Sequence, residues 1–402
     1  MSLEGIRVID LTRIIAGPFC TQLLADQGAE VIKIETTKGD PLRGQGEKVH
    51  GLSWYFASYN RNKKSIVIDL RSPEGKNVLK KLLRTADVLV ENFRPGVLDA
   101  MGFEDEVLKK SNPNLIVCSI SGFGADGPYA NRPAFDFIAQ ALSGFMSVNG
   151  ERDGPPLRSG LPISDMVVGL YGAFAVSSTL ARNTIGKKAG FRRIDVSLTD
   201  TMISLLSFQA ANFFATGNSP MRSGNDHQLV SPYGIFETND GLLAIAPSNN
   251  DTYKKLLTAL NLESLSKDKR IDSNRKRMGN RSLIRKLIEP VLKSKNSAYW
   301  IEKLNAAGVP AGPILSIPEV FEDPQVQHRE MAVNIDHGPR GSVKMLGFPI
   351  KFMGEATYNP NAAPELGEHT VEVLQNLKFQ GDEIEQLLKK SIIKQYSANN
   401  QE

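Results

Sequence analysis

Apolar and polar positions along the first half of the chain fall into alternating blocks of the kind that strands and helices produce in turn. The run IRVIDL at 6–11 reads as a buried strand, the loop TRIIAGPF follows, a helix passes through Leu23, and a second strand covers 30–34. Strand, Gly-containing turn, helix and strand make a βαβ unit. The alternation continues with a strand at SIVID (65–69), a helix over 73–83 opened by Ser72 and Pro73, a strand in ADVLVENF, another over 114–120, and a helix over 135–146. An open, mostly parallel sheet covered by helices is expected. Ligands of such sheets sit beyond the carboxyl ends of the strands, where the segments TRIIAGP, ENFRPG and SGFGADGPY fall.

The stretch PPLRSGLPISDMVVGLYGAFAVSSTL (155–180) organises the middle of the chain. Val167, Val168, Leu170, Tyr171, Ala173, Phe174 and Val176 are apolar nearly all round, as in a helix buried on most sides, with Asp165 in its first turn. Asp165 has two readings. A carboxylate there caps a helix by accepting hydrogen bonds from free backbone N–H groups. Ser164 can serve as that cap, however, and Gly160 and Pro162 hold the approach open, which leaves Asp165 as a candidate nucleophile on a rigid base.

A further strand and apolar helix are expected in RRIDVSLTDTMISLLSFQ, and 217–224 reads as a linker. Beyond it, YGIFETNDGLLAIAP reads as a hairpin turning at Asn239-Asp240-Gly241, followed by helices over 251–303. The division is a large domain at 1–215, a smaller α+β domain at 225–321, and a segment at 322–402 that returns to the large domain. That segment carries a strand over 343–352 interrupted by Gly-Phe-Pro, amphipathic helices over 368–377 and 382–390, and a frayed tail, SANNQE.

Composition narrows the class without naming a chemistry. At 402 residues, 41% hydrophobic and 23% charged, the chain reads as globular with room for two domains. A net charge of +4 with scattered cations argues against nucleic acid, and the dense cluster Lys267 to Arg281 reads as a solvated helix face. The two cysteines, Cys20 and Cys118, suit a reducing compartment and have no metal-ligand spacing. A strand starting at Ile6 leaves no room for a leader, and no apolar run is read as reaching membrane length, so a cytoplasmic protein without a membrane partner is expected. The first βα turn holds Gly17 but lacks G-x-G-x-x-G, which disfavours a nicotinamide-dependent oxidoreductase.

Taken in order, LTRIIAGPF, GAEVIKIE, NRNKKSIVIDL, VENFRPGVLDAMG, SGFGADGPYANRPAFDFIAQALSG, the Asp165 helix, GVPAGPI and LGEHT resemble the class III coenzyme A transferases over nearly the whole chain. That family includes formyl-CoA, carnitine-CoA and dicarboxylate CoA transferases and α-methylacyl-CoA racemase. The resemblance implies α/β architecture, with a Rossmann-like sheet in a large domain, a smaller domain, and two chains threaded into an interlocked homodimer. It implies acyl-CoA and a small carboxylic acid as substrates, Asp165 as the nucleophile that attacks the thioester, and neither metal nor a tightly bound cofactor.

By the same resemblance, CoA contacts fall on Ile15 and Ala16, on Ile68, Asp69, Leu70 and Arg71, on Asn92, Phe93 and Arg94, and on Pro133, Ala134, Phe135 and Asp136. Arg71 and Arg94 are the phosphate candidates. Two departures alter this picture: Thr36 and Ala100 stand where some members carry Arg, which shifts the phosphate contacts toward Lys33, Lys38 or Arg94. His227, in SGNDHQLVSPYG, is a candidate for binding the second carboxylate of a dicarboxylate. An acyl-CoA racemase or isomerase is the alternative activity. The racemase has a His-Asp pair where this chain reads Phe135-Asp136, and Phe moves no protons, which favours acyl exchange.

Overall fold

The computed structural model describes residues 1–184, 190–354 and 360–397, so all but the first residue of the polar tail lies outside the described residues. The chain divides into two compact units. The first comprises 1–145, 158–215 and 329–402; the second comprises 146–157 and 216–328. The second unit thus takes up a short piece from before the Asp165 helix, which local pattern does not reveal.

The first unit is built on a seven-stranded sheet. Six strands, Arg7–Asp10, Glu30–Glu35, Lys63–Ile68, Val88–Glu91, Ile116–Ser121 and Arg192–Ser197, are parallel and stand in the order third, second, first, fourth, fifth, sixth. Strand order therefore reverses between the first and fourth strands, and the crevice at such a reversal is where doubly wound sheets hold ligands. The central strands are apolar on both faces because both faces are covered. One face packs Ile9, Ile32, Ile66 and Leu89 against Leu79, Leu82, Val373 and Leu374. The other packs Val8, Val31, Val90 and Cys118 against Leu24, Val168, Ala173 and Val176.

The seventh strand, Ile393–Lys394, pairs antiparallel with Lys63–Ile68 and closes that edge. The LGEHT motif fixes the approach to it. The Gly367 N–H donates to Ser65 Oγ at 3.0 Å, the His369 N–H to the Ser65 carbonyl at 2.9 Å, and the Val67 N–H to Thr370 Oγ1 at 3.1 Å. The two helices expected in this segment stand at Thr370–Asn376 and Gly381–Lys389, and the closing strand is an addition to them.

Ile163–Thr184 is one continuous helix with Asp165 in its first turn. Its span Ile163–Arg182 does have the length and apolar character of a membrane span, contrary to expectation. One side of it packs on Ala16–Ala25, where two glycines permit the approach, but only 39% of the span is buried and Leu170, Tyr171 and Phe174 stay exposed, so the helix is not buried on most sides as expected. A Cβ at Gly169 would lie 2.9 Å from the Ala16 carbonyl oxygen, and one at Gly172 would lie 3.0 Å from Cys20 Sγ. The expected helix over 135–146 is two pieces, Asp136–Leu142 and Phe145–Val148, broken at Gly144, whose φ is +85°. The expected interrupted strand over 343–352 is the strand Ser342–Leu346, paired with Ala332–Asp336.

In the second unit, the hairpin Gly234–Glu237 and Leu242–Ile245 turns through Asn239-Asp240-Gly241, and Ala311–Pro313 adds a third strand. Helices Asn250–Ala259, Arg281–Leu292 and Ser297–Ala306 enclose its core of Phe236, Leu243, Leu256, Ile288 and Trp300. The cluster Lys267 to Arg281 is not uniformly solvated. Arg277 is fully buried, donates to the Ser231 carbonyl at 2.7 Å and to Asn250 Oδ1 at 2.7 Å, and lies over the Tyr253 ring.

Candidate active site

Two cavities open past the carboxyl ends of the parallel strands, both within the first unit. The smaller, about 220 Å³, sits at the reversal point and is lined by the loops that follow the first, fourth and fifth strands, with Asp165 entering from its helix. The larger, about 700 Å³, lies past the first three strands and the fourth. Of the residues expected from sequence, Ile15, Ala16, Asn92, Phe93, Arg94, Pro133, Ala134, Phe135 and Asp165 line the smaller cavity. Ile68, Asp69, Leu70 and Arg71, with Phe93 again, line the larger. Asp136 lines neither, and His227 belongs to the second unit.

Asp165 is half-buried, and its carboxyl makes no hydrogen bond among the described residues. Burial, and then the charge of Asp136, push it up to about 7, so near neutral pH it exists as carboxylic acid and carboxylate in comparable amounts. Asp136 is the group that caps the helix. Its Oδ1 accepts from the Ser164 N–H at 2.9 Å and from Ser164 Oγ at 2.8 Å, while Oδ2 accepts from Gln140 Nε2 at 2.7 Å. Gln140, fully buried, accepts in turn from the Ser159 N–H at 2.8 Å. Ser164, read from sequence as the cap, is thus the capped residue. The Asp136 carboxylate, read as a CoA contact, is occupied in holding the first turn beneath Asp165, and its charge bears on the Asp165 carboxyl.

Three arginines reach the smaller cavity: Arg13, Arg94 and Arg132. None makes an ion pair among the described residues, whereas Arg43 and Arg61 are paired to Glu35 and Asp26. Arg132 lies 3.6 Å over the ring of Tyr129, which fixes its plane. Arg71, by contrast, is extended into solvent and paired with Asp69, Nε to Oδ1 at 2.8 Å. Lys33 is excluded as a phosphate contact: it is fully buried and paired to Asp40 at 3.0 Å. Lys38, Arg71 and Lys76 are the cations of the larger cavity besides Arg13, and Thr36 and Ala100 line it too.

Sequence reasoning missed Arg13, Arg132, Tyr55 and Tyr59. The two tyrosines stand one turn apart on the helix Trp54–Asn60, with ring centroids 6.1 Å apart. Burial, Asp165 and Asp136 raise Tyr55; burial, Tyr55 and Asp165 raise Tyr59 to about 12, so both phenols keep their protons, although neither lines the smaller cavity. Their spacing of four is the signal that marks a common helix face. Phe135, 72% exposed, contributes an apolar ring to the cavity wall. Among the described residues no cluster of His, Cys, Asp and Glu has the makings of a metal site.

The sheet thus carries, at its reversal point, a cavity that holds a carboxyl raised toward neutrality together with three arginines, a combination suited to anions. The model of CoA-transferase family III matches residues 3–370, and the chain belongs to this family and is a CoA-transferase. It is similar to the succinate–glutarate CoA-transferase of Agrobacterium fabrum, 37% identical over 94% of this chain and 96% of that one. It is also similar to the acetyl-CoA:oxalate CoA-transferase of Acetobacter aceti, 39% identical over 91% and 93%. Among solved structures, a CAIB/BAIF family protein from Brucella suis matches with a TM-score of 0.81 at 39% identity, covering 93% of this chain and 98% of that one.

Proposed function

We propose that this protein moves CoA between an acyl-CoA thioester and a small dicarboxylic acid, with Asp165 as the covalent carrier. The observation that carries the reading is the Asp165 carboxyl itself, raised to about 7 and opening into a cavity with three arginines unpaired among the described residues. In the carboxylate form an Asp165 oxygen attacks the thioester carbonyl and the C–S bond breaks, leaving a mixed anhydride and CoA thiolate. The thiolate attacks the aspartyl carbonyl, which releases the donor acid and leaves an aspartyl-CoA thioester. The acceptor carboxylate reverses these two steps, regenerating Asp165 and a new acyl-CoA. One activated carbonyl is conserved throughout, so the balance calls for no further reactant.

The residues present suit these steps. Tyr55 and Tyr59 keep their protons near Asp165 and supply hydrogen-bond donors, and the arginines offset the charge of thiolate, carboxylate and second carboxylate. The larger cavity, with Arg13, Lys38, Arg71 and Lys76, is large enough for a nucleotide and provides cations for its phosphates. His227 is proposed as a ligand of the acceptor's second carboxylate, and the assembled enzyme as an interlocked homodimer. Exposed apolar residues of the first unit, Leu170 and Phe174 on the Asp165 helix with Phe213 and Phe214 further on, support burial against a second copy.

Incubation with succinyl-CoA and a panel of mono- and dicarboxylic acids, followed by mass spectrometry, tests the proposal. New acyl-CoA products and a CoA adduct on the Asp165 peptide are expected, both lost in Asp165→Ala. Full exchange by Asp165→Ala overturns it. Uptake of deuterium at the α-carbon without exchange would point to the racemase chemistry that Phe135 disfavours.

A further inference from the structure

Beneath the site lies a group of charges that the acyl-exchange steps do not use. Asp10, Lys33, Asp40 and Lys63 are all buried, in two pairs: Lys33 Nζ to Asp40 Oδ2 at 3.0 Å and Lys63 Nζ to Asp10 Oδ2 at 3.2 Å. Buried ion pairs are weak stabilisers, because withdrawing two charges from water offsets most of their attraction. Their geometry shows where else the interaction goes.

All four groups converge on the loop that leaves the first strand. The Thr12 N–H and Oγ1–H donate to Asp10 Oδ1 at 2.8 and 2.5 Å, and the Thr12 carbonyl accepts from Lys33 Nζ at 2.8 Å. The Ile14 N–H donates to the Asp40 carboxylate at 3.3 Å. Asn92 takes both backbone groups of Arg13, accepting from its N–H at 3.0 Å and donating to its carbonyl at 2.8 Å. Lys63 also donates to the Pro18 carbonyl at 2.9 Å, tying the start of the next helix to the same cluster. From the Thr12 N–H to the Ile14 N–H, side chains therefore hold every backbone polar group, where a free loop would be solvated. They hold it in a disfavoured shape, since Ile14, a β-branched residue, has φ of +71°. Two residues later the chain is at Ala16, and Arg13 and Ile15 line the Asp165 cavity.

We propose that the buried pairs Lys33–Asp40 and Lys63–Asp10 are positioning residues that set the Thr12–Ile14 backbone, and with it Arg13 and Ile15, against the cavity of Asp165. The proposal rests on the reading of Asp165 as the acyl carrier. Neither pair lines the smaller cavity, although Asp40 lines the larger one, so an effect on Asp165 chemistry passes through the loop and shows in kcat, whereas a direct effect on nucleotide binding would show in KM for the acyl-CoA.

Single charge removals leave a lone buried charge and confuse position with folding. The decisive variants are the double substitution Lys33→Met with Asp40→Leu, which removes both charges, and Asp40→Glu, which keeps the pair but displaces the acceptor of the Ile14 N–H by one methylene. Both are to be compared with wild type by thermal melting, by steady-state kinetics, and by hydrogen exchange at the Thr12 to Ile15 amides. Folded variants are expected to lose kcat by about ten- to a hundredfold, as misplacement by about an ångström does, and to exchange these amides at least tenfold faster. Wild-type kcat in either folded variant overturns the proposal, as does unchanged exchange at these amides. Should the double variant not fold, Asp40→Glu decides alone. If wild type forms no Asp165 adduct, the proposed function fails, while the amide measurement still judges whether the pairs hold the loop.

Discussion

Replacing Asp165 with Asn should stabilise the protein, and by an amount that depends on pH in a direction fixed by the site. The carboxyl is raised from 3.8 to about 7, mainly by burial. Below 3.8 both folded and unfolded chains carry it neutral, and it contributes nothing to pH dependence. Between 3.8 and 7 the unfolded chain ionises while the folded chain does not, so the folded state loses stability as pH rises, and the loss is complete above 7. At 1.36 kcal/mol per pKa unit, the full span is roughly 4 kcal/mol at pH 8 and about 1.5 kcal/mol at pH 5. Because Asp165 is only half-buried, about half of that span is the sensible expectation. Asn is neutral at every pH and avoids the penalty. Urea unfolding of wild type and Asp165→Asn at pH 5, 6, 7 and 8 should therefore show the variant gaining about 1–2 kcal/mol over wild type between the ends of the series, with a plateau above pH 7. A stability difference that does not vary with pH, or one that shrinks as pH rises, would refute the account of a desolvated Asp165 carboxyl.

Other expectations follow from the same geometry. The rate of forming the CoA adduct in a single turnover should rise with pH through about 7 and then level off, since attack requires the carboxylate. Asp136→Asn should move that midpoint downward by part of the shift only, because burial is the larger cause; an unmoved midpoint would show that Asp136 acts by position alone. Gly169→Ala puts a methyl 2.9 Å from the Ala16 carbonyl oxygen, so it should lower stability by about 1–3 kcal/mol and reduce exchange at least tenfold, read by urea melts and steady-state rates. His227→Ala should raise KM for dicarboxylate acceptors about tenfold while leaving the donor half-reaction unchanged; equal effects on both would remove His227 from acceptor binding. Light scattering of the purified chain should give twice the mass of 44.1 kDa, and a monomer would remove the homodimer.

Much of the first unit was legible because its signals are local. The six parallel strands are short apolar runs between Gly, Pro and Asn, and a strand buried on both faces leaves that pattern whatever it packs against. The same holds for the site backbone: the loops that follow the first, fourth and fifth strands had to be where the cavity is once strand order was doubly wound. What escaped is set by distance along the chain. Ile393–Lys394 finds its partner in Lys63–Ile68, more than three hundred residues earlier, and two residues carry no strand period. Lys33 looked like an exposed phosphate ligand because nothing in VIKIE tells which face of the strand is covered, nor that Asp40 folds back onto it. Asp136 has the capping role expected of Ser164 for a similar reason, since a cap borrowed from 28 residues away leaves no mark beside the helix it caps.

The closing strand also bears on how the molecule is made. Its residues come after every other strand of the sheet they complete, which begins at Arg7. Synthesis from the first residue onward therefore delivers all of the second unit, whose last residue is 328, before the first unit has its final edge. Through that interval the Lys63–Ile68 strand stands with one row of backbone groups unpaired, the kind of edge on which nascent chains aggregate. Deleting Ile393–Lys394 would spare every residue lining the Asp165 cavity and still deny the sheet its seventh strand. The yield of folded protein is therefore expected to depend on this late strand, far in sequence from the Asp165 cavity.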